Sequence, residues 1–139
     1  MCLTITVEAA ATERDRLTAA AANTSGLGLH LQIAHPSKLS WAKSRPVKVS
    51  ISENGGCACS LLSDEADWNA KTWALRPQIV EPLAKTLEAL LQQGPPSVAF
   101  EALWAGDRPI EEISLGPSEL ANVVRTTGLG TKTRYIVKR

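Results

Sequence analysis

This 139-residue chain is poor in three residue types that often carry chemistry or disulfide frameworks: it has three cysteines, two histidines and one tyrosine. An odd, sparse set of cysteines is unlike the dense, even sets of small secreted domains, so we expect reduced thiols. Long apolar runs are also lacking, and none approaches the ~20 residues needed to cross a bilayer. Met1 leads into an alternating segment without the features of a signal peptide. We therefore predict a cytoplasmic protein without membrane association.

Motifs for catalysis and cofactor binding are missing too. Neither His30 nor His35 lies in an HExxH, HxH or nucleophile-elbow context, so no catalytic triad or zinc-protease motif can be assigned. The segment "TGLGTKT" (127–133) lacks the G-x4-G-K-[ST] spacing of a phosphate loop. The sequence leans away from an enzyme and predicts no cofactor.

What the chain does have is alternation of apolar and polar residues in seven segments, which predicts seven strands. These are "CLTITV" (2–7), "LGLHLQIA" (27–34), "VKVSIS" (47–52), "CACSLL" (57–62), "SVAFEALW" (97–104), "IEEISL" (110–115) and "TKTRYIVKR" (131–139). The Asn-Gly dipeptide in "ENGG" (53–56) predicts a hairpin between the third and fourth segments. A second hairpin is predicted at "AGDRP" (105–109).

Three helices are predicted between the strands. The first follows a capping box with Thr12 as N-cap, and the third starts at "GPSEL" (116–120). The second covers 83–93, with Pro82 in the first turn, where a missing N–H is harmless. This order predicts one α+β domain over 1–139, with a mixed or mostly antiparallel sheet and two to three helices on one face. It also permits a ferredoxin-like kernel.

The cysteines allow two interpretations. In a regular strand, Cys57 and Cys59 share a face with Cα atoms ~6.6 Å apart, and buried cysteine behaves as a small apolar residue. The sequence favours this core interpretation. The alternative is a thiol-dependent metal-binding or redox protein that uses the Cys-x-Cys pair together with Cys2. If the diglycine before Cys57 leaves the pair in a loop, both thiols can chelate a metal or form a reducible disulfide.

Tryptophan is the most frequent aromatic residue, with four in the chain. Trp41, Trp68 and Trp73 fall in segments without a sustained helical or strand pattern, which is typical of side chains that line a pocket or interface. Asp64 and Asp67 lie close by in sequence and offer orienting polar groups, although acids in "SDEAD" (63–67) equally suit the first turn of a short helix. The leading hypothesis is therefore a binding or interaction module for an unknown protein or small molecule.

Charge is sorted along the chain although the net charge is +1. Every charged residue over 16–48 is basic, as are all five after Glu119. We expect a basic face formed by four residues: Lys43, Arg45, Lys132 and Arg134. Such a face contacts the phosphates of nucleic acid or protects an edge strand from aggregation. A nucleic-acid binder is accordingly a weaker alternative.

Overall fold

The computed structural model describes residues 2–34, 45–64, 67 and 69–139. In these ranges six strands form one sheet, flanked by three α-helices. The strands are β1 (Leu3–Ala9), β2 (His30–Ile33), β3 (Val47–Ser52), β4 (Ser97–Trp104), β5 (Glu111–Leu115) and β6 (Thr133–Lys138). The helices are α1 (Arg14–Thr24), α2 (Pro77–Gln93) and α3 (Pro117–Arg125). The predicted α+β class is confirmed.

The sheet has the strand order β2-β3-β1-β4-β6-β5. All neighbouring strands run antiparallel except β5 and β6, which are parallel, so the sheet is mixed. β3 lies between β1 and β2, and α1 connects those two strands along the chain. The order of the first four strands is compatible with a ferredoxin-like kernel, which stays a prediction.

One face of the sheet carries the core. Strand β1 alternates strictly, burying Leu3, Ile5 and Val7 while Thr4 stays exposed. Buried residues of all three helices belong to the same core cluster, so the helices cover this face. The outer face of the sheet carries polar side chains together with two buried apolar residues of β4, Ala99 and Leu103. Among the described residues, no helix combines the length and apolarity that a bilayer crossing requires.

Both predicted hairpins are wrong. The two edges of β3 already pair with β1 and β2, so "CACSLL" finds no open edge and forms instead a 3-10 helix, Ala58–Leu61. The segments on either side of "AGDRP" are both strands, but β4 and β5 do not pair with each other. β4 is flanked by β1 and β6, and β5 pairs with the far edge of β6.

Two helix starts also differ from prediction. A short 3-10 turn, Ala11–Glu13, precedes α1, and no side chain caps the helix, so the predicted Thr12 cap is wrong. Helix α2 begins earlier than predicted, with Pro77 in its first turn and Pro82 inside the helix. The earlier start buries Ile79 in the core. That burial offsets the backbone hydrogen bond lost at Pro82.

Helices α2 and α3 are joined at the surface by an ion pair. Two nitrogens of Arg125 donate to the two carboxylate oxygens of Glu81, each at 2.9 Å. These hydrogen bonds lower the pKa of Glu81, outweighing the opposite effect of its small desolvation.

We expect the stabilisation from this pair to depend on pH. Because the pKa of Glu81 is lowered on folding, the contribution is present above the ordinary Glu pKa of about 4.3 and is lost as the pH falls through the lower, folded value. Thermal unfolding of the native protein and of Arg125→Met should therefore differ at pH 7 and converge in acid. A constant difference across this range contradicts the prediction.

Candidate functional site

All three cysteines of the chain come together in the structure. Cys2 directly precedes β1, Cys57 is the N-cap of the 3-10 helix, and Cys59 lies within that helix. Their sulfur atoms all lie within 4.8 Å of one another. The three residues, called the cysteine cluster below, form the only group of three or more histidine, cysteine or acidic side chains with metal-binding spacing among the described residues.

The loop after β3 brings the Cys-x-Cys pair to the start of β1. Gly55 has a φ of +90°, a left-handed conformation that favours glycine, and its N–H donates to Ser52 Oγ at 2.9 Å. Cys57 is extended, and the following turn is anchored by the buried side chains of Ala58 and Leu61. Gly55 therefore supplies the reversal, and two apolar residues fix where the thiols lie.

Hydrogen bonds connect the sulfurs to the backbone and to each other. Leu3 N–H donates to Cys59 Sγ at 3.1 Å, and Cys59 N–H donates to Cys57 Sγ at 3.3 Å. The sulfurs of Cys57 and Cys59 lie 2.6 Å apart, and the Cys57 thiol also lies 3.6 Å from Leu3 O. Two backbone N–H groups thus point at sulfur atoms, where they stabilise negative charge.

The cluster is accessible from solvent. Cys2 is exposed, and Cys57 and Cys59 are half-buried. Cys2 and Cys57 line a shallow pocket of about 220 Å³ together with Thr4, Ser50 and Gly56. The prediction that Cys57 and Cys59 share one face of a strand is wrong, because a 3-10 turn carries both thiols.

The three thiols do not ionise alike. Burial is the largest single influence on Cys57 and raises its pKa, but hydrogen bonds from the Cys59 thiol, the Cys59 N–H and the Cys2 thiol together lower the pKa below its usual value. The pKa of Cys2 is raised, first by its hydrogen bond to Cys57. Burial and then the hydrogen bond to Cys57 raise the pKa of Cys59. Cys57 is therefore the first sulfur of the cluster to carry negative charge.

Of the three tryptophans predicted to line a binding site, Trp73 lies among the described residues. Trp73 is 4% exposed, stacks edge-on against Trp104 and donates its Nε1–H to Ala102 O at 2.7 Å. Trp41 and Trp68 lie outside the described residues. Trp73 is thus a core side chain, and a tryptophan-lined binding site stays a prediction that depends on the other two.

The two acids predicted to assist that site are exposed. Asp64 lies in a turn, and Asp67 accepts a hydrogen bond from Asn69 N–H at 3.0 Å. The Asp67 carboxylate thus stabilises its own loop, a common role for aspartate in turns.

The predicted basic face is described at three of its four positions, because Lys43 lies outside the described residues. Arg45 and Lys132 are exposed. Arg134 lies on the outer face of β6, where it forms an ion pair with Glu101. Part of the positive charge is therefore neutralised, and the basic face stays a prediction.

The sequence offers Cys2 as a partner of the Cys-x-Cys pair but contains no local reason for the contact. The signal lies in the pairing of β1 with β3, which places the start of β1 beside the loop that follows β3. Comparison with known proteins finds no matching family model, no matching curated protein and no matching solved structure.

Proposed function

We propose that the protein binds a thiophilic metal ion through the thiolates of Cys2, Cys57 and Cys59. The observation that carries the proposal is the convergence of all three sulfurs within 4.8 Å of one another. Cys2 is separated by more than fifty positions from the other two, so tertiary structure, rather than local sequence, assembles the group. A protein with only three cysteines has few ways to place all of them together by chance.

The spacing suits one ion held by three sulfurs. A zinc–thiolate bond is about 2.3 Å, so two sulfurs on one tetrahedral ion lie about 3.8 Å apart. The three sulfurs of the cluster lie within 4.8 Å of one another, which is close to this separation. Cys57 Sγ and Cys59 Sγ, at 2.6 Å, must separate by roughly 1 Å, which side-chain rotation at an exposed turn permits.

The donor set favours soft ions. Sulfur is the only ligand atom that the described residues contribute to the cluster, and thiolates select Zn(II), Cd(II) or Cu(I) over Mg(II) and Ca(II). The N–H groups of Leu3 and Cys59 would form the outer shell, since hydrogen bonds to ligand sulfurs disperse their charge. Three protein ligands leave a fourth position of a tetrahedral ion for water or an exchanging thiol.

Two observations favour a metal site over the tryptophan and nucleic-acid hypotheses. The one described tryptophan of the first set is buried, and Arg134 of the second set is paired with carboxylates. The cysteine cluster instead offers reactive atoms that are close together and reachable from solvent.

Titration of the reduced protein with Cd(II) tests the proposal. We expect one ion per chain, with thiolate-to-cadmium charge-transfer absorbance, and an affinity measured by competition with a chromophoric chelator. Cys2→Ser should weaken binding by about 100-fold or more, because loss of an outer-shell partner alone costs 10–100-fold.

Ser60→Ala is the matched control, since Ser60 is exposed on the same 3-10 helix and contributes no sulfur. It should bind Cd(II) as the native protein does. The proposal is wrong if the native protein shows no saturable binding, or if Cys2→Ser binds with unchanged affinity. Far-UV circular dichroism of each variant verifies that its fold is retained.

A further inference from the structure

We infer that Cys57 and Cys59 also form a dithiol–disulfide couple that exchanges with small disulfides, and that closure of this disulfide dismantles the metal site. The first part stands on the geometry of the pair alone. The second part rests on the proposed function, because it concerns release of the ion. Cys2 has no part in the couple and keeps its thiol.

The sulfurs of the pair are already within reach of bond formation. Cys57 Sγ and Cys59 Sγ are in direct contact at 2.6 Å, so a disulfide bond of about 2.05 Å requires only a small further approach. Residues two apart have Cα atoms at most about 7 Å apart even when extended, and a turn shortens this distance. A turn can therefore bring the two Cα atoms within the 4.4–6.8 Å that is roughly the usual span of disulfides.

The loop before the pair can absorb the small shift that closure requires. Gly56 is exposed, and a Cβ built there would meet only the side chain of Asn54 within 4 Å. Ala58 and Leu61 hold the 3-10 helix on the core, so Cys59 stays in place while Cys57 adjusts. Closure thus requires no movement of the sheet.

The accessible positions assign roles to the two thiols. Within the pair, Cys57 lines the pocket that opens to solvent and Cys59 does not, so the Cys57 thiolate is the one that attacks an incoming disulfide RSSR. The attack forms a Cys57–SR mixed disulfide and expels RS⁻, which takes up a proton as RSH. The Cys59 thiolate then attacks Cys57 Sγ and expels the second RS⁻. The protein loses two thiol hydrogens, and RSSR becomes two RSH.

Closure removes two of the three sulfurs that the proposed metal site requires. Cys2 alone remains as a free sulfur ligand, and a single exposed ligand does not hold an ion. Oxidation by a small disulfide should therefore release the metal, and reduction by a thiol should restore binding. The couple is expected to be readily reversible, since exposed disulfides are more easily reduced than buried structural ones.

Equilibration with mixtures of reduced and oxidised glutathione tests the couple, with acid quenching, alkylation and mass spectrometry. The native protein should lose two alkylatable thiols together and keep Cys2, and Cys2→Ser should lose both of its thiols. Cys59→Ser cannot close the disulfide and should accumulate glutathione on Cys57. A disulfide that includes Cys2 in native protein, or stable glutathionylation of Cys57 in Cys2→Ser, overturns the inference.

Release of the ion is measured on zinc-loaded protein with a zinc indicator dye after addition of oxidised glutathione. One ion should appear per disulfide formed. Ion retained after closure overturns the second part of the inference. If the disulfide closes but the reduced protein takes up neither zinc nor cadmium, the proposed function fails while the couple stands. If zinc binds but no disulfide closes, the couple fails and the proposed function stands.

Discussion

Replacement of Trp73 by alanine is expected to lower the free energy of unfolding by about 3–5 kcal/mol. The indole is 4% exposed and packs edge-on against Trp104, with ring centroids 5.1 Å apart and an interplanar angle of 80°. Truncation creates a cavity in the core, removes the aromatic contact and leaves Ala102 O without the Nε1–H that it accepts at 2.7 Å. All three losses act in the same direction.

Urea unfolding of native protein, Trp73→Ala and Trp73→Phe measures this cost and divides it. Trp73→Phe keeps a ring in the core and removes the hydrogen bond, so it should cost about 1–3 kcal/mol for the unsatisfied carbonyl plus a smaller packing loss. A loss below about 1 kcal/mol for Trp73→Ala contradicts a core role and returns Trp73 to the ligand-binding hypothesis.

The sequence contained enough information to place most strands. β1 was predictable because each inward residue, such as Leu3 or Ile5, is apolar and is followed by a residue that faces away from the core. Helix α2 was predictable for a similar reason, since Leu83, Leu87 and Leu90 recur at helical spacing and are all fully buried. The spacing of apolar residues thus predicts a strand or helix where one face of that element packs on the core.

The pairing of strands was not predictable in the same way. An Asn-Gly dipeptide between two alternating runs favours a hairpin, but it carries no information on whether the first strand has an open edge. In the structure β1 and β2 already occupy both edges of β3. Partners from distant parts of the chain therefore decide the conformation of "CACSLL", against its local preference.

Trp73 shows how a segment without periodicity can still bury an aromatic side chain. Its segment lacks periodicity because single backbone contacts, rather than a regular ladder, hold it on both sides. Leu75 bridges to Leu62, and Trp73 N–H donates to Leu129 O at 2.8 Å. An aperiodic segment that is anchored in this way can bury a tryptophan as well as a strand does.

The position of Cys2 in the cysteine cluster depends on the register between β1 and β3. Thr6 pairs with Ser50 and Val7 with Val49, so continuing this register by four residues towards the N-terminus sets position 2 opposite position 54. Cys2 is thereby placed beside the loop that leads into Cys57. Without knowledge that β1 pairs with β3, the residue types alone gave no reason for the three thiols to meet.

Arg134 has the second large expected effect. It lies between two carboxylates on the outer face of the sheet, bonded to Glu101 and 3.5 Å from Glu8. The side chains of all three are less than a third exposed. Glu8 has a second ion-pair partner, because Lys48 Nζ lies 3.4 Å from Glu8 Oε2. Glu101 forms its ion pair with Arg134. The cation therefore holds together two acids that are poorly hydrated.

Arg134→Met should lower the free energy of unfolding by about 1.5–3 kcal/mol, because two partly buried carboxylates lose a charged hydrogen-bond donor and then repel each other. Lys138→Met on the same strand is the control, since Lys138 is exposed, and it should change stability by less than about 0.5 kcal/mol. In the double variant with Glu101→Gln, part of the loss should be recovered, which gives a coupling energy of about 0.5 kcal/mol or more. Additive losses in this cycle, measured by urea unfolding at neutral pH, would show that Arg134 contributes through its alkyl packing, and would leave its charge available to the predicted basic face.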